Sequence, residues 1–137
     1  MYGTVIDVWS AGCIMTEMLE RKPLFMGSNT AEMLRLVVQF TGKSSEADLG
    51  FVTKKRARRY VLGMAEGPRI SLPERFPDAG SDALDLLSRM LTFNPARRIS
   101  ARDAMRHPWL DGFYEEQFES GQPTLEEISR MIDEFVD

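Results

Sequence analysis

The chain has 137 residues, 43% of them hydrophobic and 28% charged, which is enough for one modest globular domain with a real core. No apolar run approaches the roughly 20 residues of a membrane span, the one cysteine (Cys13) excludes an internal disulfide framework and fits a reducing compartment, and a single histidine argues against a His-based metal site. The net charge of −4 hides an asymmetry, because residues 111–137 hold nine acids and one base and the preceding 110 residues therefore carry +4.

The opening "MYGTVIDVWS" has no basic region ahead of its apolar residues, so no secretory signal is expected. The first predicted helix runs from about Val5 to Glu20 and is apolar nearly all round, the mark of a helix at a domain's centre. Asp7 breaks that pattern, lying between Ile14 and Met18 on the helical wheel. Two readings stay open for it. It is a first-turn carboxylate that reaches solvent and meets the helix dipole favourably, or it is a buried acid that needs dedicated partners, since an unpaired buried ion costs several kcal/mol. Cys13 lies mid-helix among apolar residues and reads as an inert core thiol. "RKPLFMGS" stops the helix.

Asn29 with Glu32 forms a capping box for a second helix over 30–41, closed by Gly42. Ser45 with Asp48 starts a short helical piece, which leads into a third helix, "TKKRARRYVLGM", ending near Met64. Residues 54–59 of it hold five bases, the composition of a nuclear-import or nucleic-acid patch. The favoured reading is the solvated face of an amphipathic helix with Val52, Ala57, Tyr60, Val61 and Met64 on its apolar side, because nucleic-acid binders carry an excess of positive charge. Pro68, Pro73 and Pro77 predict an extended connection over 65–80.

Ser81 is expected to cap a fourth strong helix whose apolar face runs from Ala83 to Leu91. In the loop "NPARRIS", Arg97 reads as solvated charge, while Arg98 sits where the chain turns back into the core and suits a bidentate pair with a carboxylate. Ser100 with Asp103 starts a short helix ended by "HPWL", in which His107 closes the helix rather than catalyses. Thr124 with Glu127 caps a last helix whose stripe, from Leu125 through Ile128 to Val136, must bury against something. No period-2 strand and no internal repeat is evident.

Three of these segments, in order, resemble the C-terminal lobe of eukaryotic protein kinases. "DVWSAGC" (7–13) is similar to that family's central-helix signature, "NPARRIS" (94–100) to its late arginine motif, and "HPWL" (107–110) to the segment that commonly closes the domain. The stretches "GSNTAEMLRLVVQFTGKSSEADL", "RARRYVLGM", "LPERFPDAGSDALDLLSRMLTFNP" and "FYEEQFES" narrow the resemblance to MAP kinases, over roughly residues 2–119. It implies an all-α fold, the helical lower part of a kinase C-lobe with central helix, MAP-kinase-type insert and C-terminal extension helix, and no N-lobe β-sheet. Residues 1–110 would be the partial lobe, and 111–137 an acidic extension ending in an amphipathic helix.

The implied function is that of a C-terminal fragment of a MAP-kinase-like serine/threonine kinase, whose parent transfers the ATP γ-phosphate with Mg. A related cyclin-dependent-type kinase and a stand-alone kinase-derived helical adaptor are the alternatives. In kinases the residue matching Asp7 hydrogen-bonds the backbone of the catalytic loop containing His-Arg-Asp, and the residue matching Arg98 pairs with the glutamate of Ala-Pro-Glu. With Trp9, these two are expected to support loops that the chain does not contain. The sequence has no G-x-G-x-x-G, His-Arg-Asp or Asp-Phe-Gly, so no catalytic, cofactor-binding or metal-binding residue is assigned and the chain alone is expected to be inactive.

The resemblance also implies docking surfaces. Glu115 and Glu119, with Glu116 adding charge, match acidic positions that bind basic motifs of substrates, activating kinases and phosphatases, although Phe118 replaces one acid. Leu34 and Tyr60 match a hydrophobic docking pocket in which Thr30 and Ala31 stand where larger apolar residues are usual. The missing N-lobe and catalytic segments are further implied partners, nucleic acid and membrane are not, and the expected compartment is the cytoplasm, with the nucleus second.

Overall fold

A computed structural model describes residues 3–42, 45–64, 69–113 and 124–136. Its helices are α1 (Gly3–Glu20), α2 (Thr30–Thr41), α3 (Lys55–Leu62), α4 (Leu72–Arg75), α5 (Ser81–Met90), α6 (Ala101–Met105) and α7 (Leu125–Val136), with 3₁₀ turns at Ala47–Leu49 and Pro108–Leu110. Among the described residues there is no strand, in agreement with the all-helical expectation.

Side-chain caps explain the starts of α2, α6 and α7. The Asn29 side chain accepts from the Glu32 N–H at 2.9 Å, while the Glu32 carboxylate reaches back to the N–H of Ser28 rather than of Asn29, so the box is one residue wider than the motif suggests. Reciprocal bonds join Ser45 with Asp48 and Thr124 with Glu127. Ser100 accepts from the Asp103 N–H and its hydroxyl donates to the Asp103 carboxylate.

Ser81 does not cap α5. Gly80 holds the cap position without a side-chain bond, and Ser81 is the first helical residue. The expected extended connection before it is also interrupted, because α4 forms around Pro73. Proline is tolerated in a first turn, where its missing N–H would have no partner anyway. What holds α4 is burial of Leu72, and of Phe76 just after it, against α5.

The centre of the molecule is the contact of α1 with α5, beside which α1 also meets α6. Val8, Gly12 and Thr16 recur every four residues and are buried, so they form one ridge of α1. Gly12 lets the helices close up: a Cβ there would stand 2.9 Å from Leu91 Cδ2 and 3.1 Å from Met90 Cβ. Thr16 is fully buried and satisfies its hydroxyl by donating to the Cys13 carbonyl at 2.7 Å. From α5, Leu87 and the following Leu91 are inaccessible to solvent, each worth about 1.5–3 kcal/mol of apolar burial.

The main cluster continues through Phe40, Leu72 and Phe76, with Trp9 and Phe25 packed against it. Trp9 stacks nearly parallel on Phe25 at 6.0 Å, and Phe25 meets Phe40 edge-on at 5.6 Å. A separate cluster of Val38, Leu49 and Val61 ties α2 to α3.

The all-round apolarity of α1 predicted burial on every side, and the structure corrects this. The face opposite the ridge is open, with Ile6, Ile14 and Met18 all exposed and Met18 three-quarters so. The ridge consumes one side of the helix, and among the described residues no element packs on the other. No helix of the described residues is long and apolar enough to cross a membrane.

Candidate functional site

Arg98 is held from several sides beside the first turn of α1. Its Nε donates to the Thr92 carbonyl at 3.0 Å, one terminal nitrogen to the Val5 carbonyl at 2.6 Å and the other to the Phe93 carbonyl at 3.3 Å. The guanidinium also lies over the Trp9 ring, 5.0 Å from its centroid. Half-burial works against the charged state, and the three carbonyl oxygens replace the lost water. The carboxylate pair suggested by the sequence is therefore not how Arg98 is held here. Its planar fork suits carbonyls arriving from two directions, and it ties the loop after α5 to the first turn of α1.

Asp7 lies two residues beyond Val5, on the open side of α1. It is exposed and has no hydrogen bond or ion pair within the described residues. This favours the solvated reading over the buried one, but α1 begins at Gly3, so Asp7 stands just past the first turn rather than in it. Its neighbours are apolar, however. It stands on the rim of a groove of about 560 Å³ whose walls include Ile14 and Met18 of α1, Met90 of α5 and Met105 and Trp109 beyond it. A carboxylate beside such a wall can accept backbone N–H bonds from a segment laid along it.

Cys13 faces the opposite way, towards the Trp9–Phe25 cluster. Burial pushes its thiol pKa up, and the Arg98 charge offsets this only in part. The unreactive assignment fits that direction.

Two polar contacts were not legible. His107 is buried and does more than end a helix. Its Nδ1 accepts from the Trp109 N–H at 3.1 Å, so in the neutral ring Nε2 carries the proton and donates to Asp85 at 2.8 Å. The His107 bond, then that from Arg89, holds the Asp85 carboxyl below the usual carboxylate range. Arg97 is exposed, as its solvated reading expects, and it also reaches the Asp48 carboxylate at 2.9 Å, tying the 3₁₀ turn to the arginine loop. Each pair joins residues 22 or more positions apart, and composition gives no hint of such distances.

The docking candidates fare unevenly. Leu34 is half-buried against the Val38–Leu49–Val61 cluster, and Tyr60 is about half exposed and lines a groove with Val38 and Met64. Tyr60 is thus not covered as the amphipathic pattern predicted. Glu115, Glu116 and Glu119 lie outside the described residues, and of the last helix's stripe Leu125 and Ile128 are exposed.

No group of three or more His, Cys, Asp or Glu able to hold a metal occurs among the described residues, and the large groove along α1 is apolar where a triphosphate needs donors and cations.

The family described as Protein kinase domain matches residues 1–110. Mitogen-activated protein kinase 4 of Oryza sativa subsp. japonica is 44% identical over 114 residues, covering 83% of this chain and 31% of the relative. Mitogen-activated protein kinase homolog NTF6 of Nicotiana tabacum is 43% identical over the same length. Mitogen-activated protein kinase 7 of Arabidopsis thaliana is 41% identical over 133 residues, covering 97% of this chain and 36% of the relative. The chain therefore spans about a third of the length of the curated relatives it matches.

Proposed function

The chain belongs to the protein kinase family, on its MAP kinase branch, and from that premise we propose that it acts as the helical base of a serine/threonine kinase lobe. In this reading α1 is the post on which a catalytic segment rests. Asp7 accepts backbone N–H groups of that segment, and the ATP γ-phosphate is transferred by groups outside this sequence. Trp9 and Arg98 act as positioning residues, holding the first turn of α1 and the arginine loop in register so that Asp7 faces its partner. The acidic positions Glu115, Glu116 and Glu119 recruit proteins with basic docking motifs, where complementary charge sets encounter rate and selectivity more than raw affinity.

One observation carries the reading. An unpartnered carboxylate stands at the rim of an open apolar groove, on a turn that Arg98 fixes through the Val5 carbonyl. A polar anchor beside an uncovered apolar wall is what a missing, hydrogen-bonded segment would leave behind.

The test is a chimera in which this chain replaces the corresponding third of one of the relatives above. It should phosphorylate a generic basic protein substrate. Asp7→Ala should lower kcat about 100-fold with substrate KM little changed, since misplacing the catalytic segment costs orientation rather than binding. A folded chimera without activity, or one indifferent to Asp7→Ala, overturns the proposal. The purified 137-residue chain alone should transfer no phosphate.

A further inference from the structure

We propose that α3 is a docking surface for acidic peptide segments of a partner protein. The inference does not rest on the kinase reading. Elsewhere in the chain four arginines find acids: Arg75 meets Glu20, Arg89 meets Asp85, Arg97 meets Asp48 and Arg35 meets Glu32. Lys54, Lys55, Arg56 and Arg59 are exposed and form no ion pair with any described residue. Arg58 is the exception on this helix, tied to the Val52 carbonyl at 2.8 Å.

Apart from Arg59 in its last turn, these charges do not serve the helix that carries them. Lys54, Lys55 and Arg56 crowd its start, where the backbone dipole repels cations, and no acid occupies the first turn. Beside them, between α2 and α3, runs a groove of about 490 Å³ with Val38, Tyr60 and Met64 as its apolar wall and Arg35 and Arg59 at its rim. Tyr60 is half exposed there.

Size and charge select the occupant. Eight helical residues span about 12 Å, the reach of about four extended peptide residues. A segment of that length can set carboxylates against the cations and one apolar side chain into the groove. A nucleic-acid backbone would leave the apolar wall unused, and the chain's net charge of −4 opposes a polyanion once the short cationic strip is passed.

The experiment uses the full chain and a fluorescein-labelled peptide of six glutamates around one phenylalanine, followed by anisotropy. Binding should weaken about tenfold in the triple variant Lys54→Glu/Lys55→Glu/Arg56→Glu and severalfold when the phenylalanine is replaced by glycine. It should also weaken steeply with salt, as exposed charge pairs do. Circular dichroism checks the fold, and if the triple variant does not fold, Lys54→Gln/Lys55→Gln should still weaken binding at least threefold. No binding, binding indifferent to these changes, or tighter α3-dependent binding of single-stranded RNA or anionic vesicles would overturn the proposal.

Discussion

Replacing Arg75 by methionine should destabilise the chain by about 2 kcal/mol, and the figure follows from where the arginine sits. Arg75 ends α4 and Glu20 ends α1, 55 residues earlier, and the two meet bidentately at 2.6 and 3.0 Å. Their side chains are 26% and 13% exposed, and the guanidinium also lies 5.5 Å from the Phe40 centroid and 5.6 Å from that of Phe76. Breaking a fully buried pair costs about 3–5 kcal/mol, while an exposed pair contributes about 0.2–1 kcal/mol. Partial burial places this one between. Urea unfolding followed by tryptophan fluorescence should show the midpoint fall by about 1 M, for a slope near 2 kcal/mol/M. A double-mutant cycle with Glu20→Gln isolates the pair and should return at least about 1 kcal/mol. The pH dependence has a definite sign. The Arg75 hydrogen bond, ahead of its charge, lowers the Glu20 pKa, so the stabilisation is complete above the ordinary glutamate value of about 4.3 and is lost as pH falls through the lower folded value. Arg75→Met should lack that acid-sensitive component. A coupling below about 0.3 kcal/mol, or identical acid profiles for both proteins, would refute the reasoning.

Three other substitutions and reactions check separate parts of the fold. Gly12→Ala should destabilise by about 1 kcal/mol although alanine favours helices, because its Cβ meets the buried Leu91; a melting point that rises instead of falling by a few degrees would be inconsistent. His107→Phe should cost about 2 kcal/mol in urea titrations by orphaning the Trp109 N–H and leaving the Asp85 carboxylate with Arg89 alone, and His107→Asn should recover part of it by capping the 3₁₀ turn. Cys13 should react with an aromatic disulfide reagent far more slowly than free cysteine and regain its rate in urea, since burial raises its thiol pKa; equal rates in both conditions would contradict its placement.

Local chemistry was legible and long-range chemistry was not. Capping boxes at Asn29, Ser45, Ser100 and Thr124 are written within four residues, and each marks a helix or turn start as expected. The α5 face was equally readable, since its period of 3.6 needs no partner to be seen. Ser81 misled because a serine before an apolar run fits either the cap or the first helical position, and the backbone at Gly80 takes the cap. α4 was missed because four residues carry no periodicity and Pro73 argues the other way. Pairs such as Glu20–Arg75, Asp48–Arg97 and Asp85–His107 depend on tertiary placement, so no spacing rule points to them. The same limit applies to Arg98: its motif was recognisable, while the carbonyl of Val5 as its acceptor was not.

That last bond has a kinetic side. Arg98 closes loops of five and six residues to Phe93 and Thr92, and one of 93 residues to Val5. Four doublings of loop length separate the short closures from the long one, about 2.4 kcal/mol more of chain entropy. The local carbonyls can therefore orient the guanidinium early, before α1 arrives, and the Val5 bond forms only once the Val8–Gly12–Thr16 ridge has brought α1 onto α5. A change in Trp9 emission as the arginine slides over its ring should then belong to the slowest folding phase, with conservative changes at Arg98 speeding unfolding more than they slow folding.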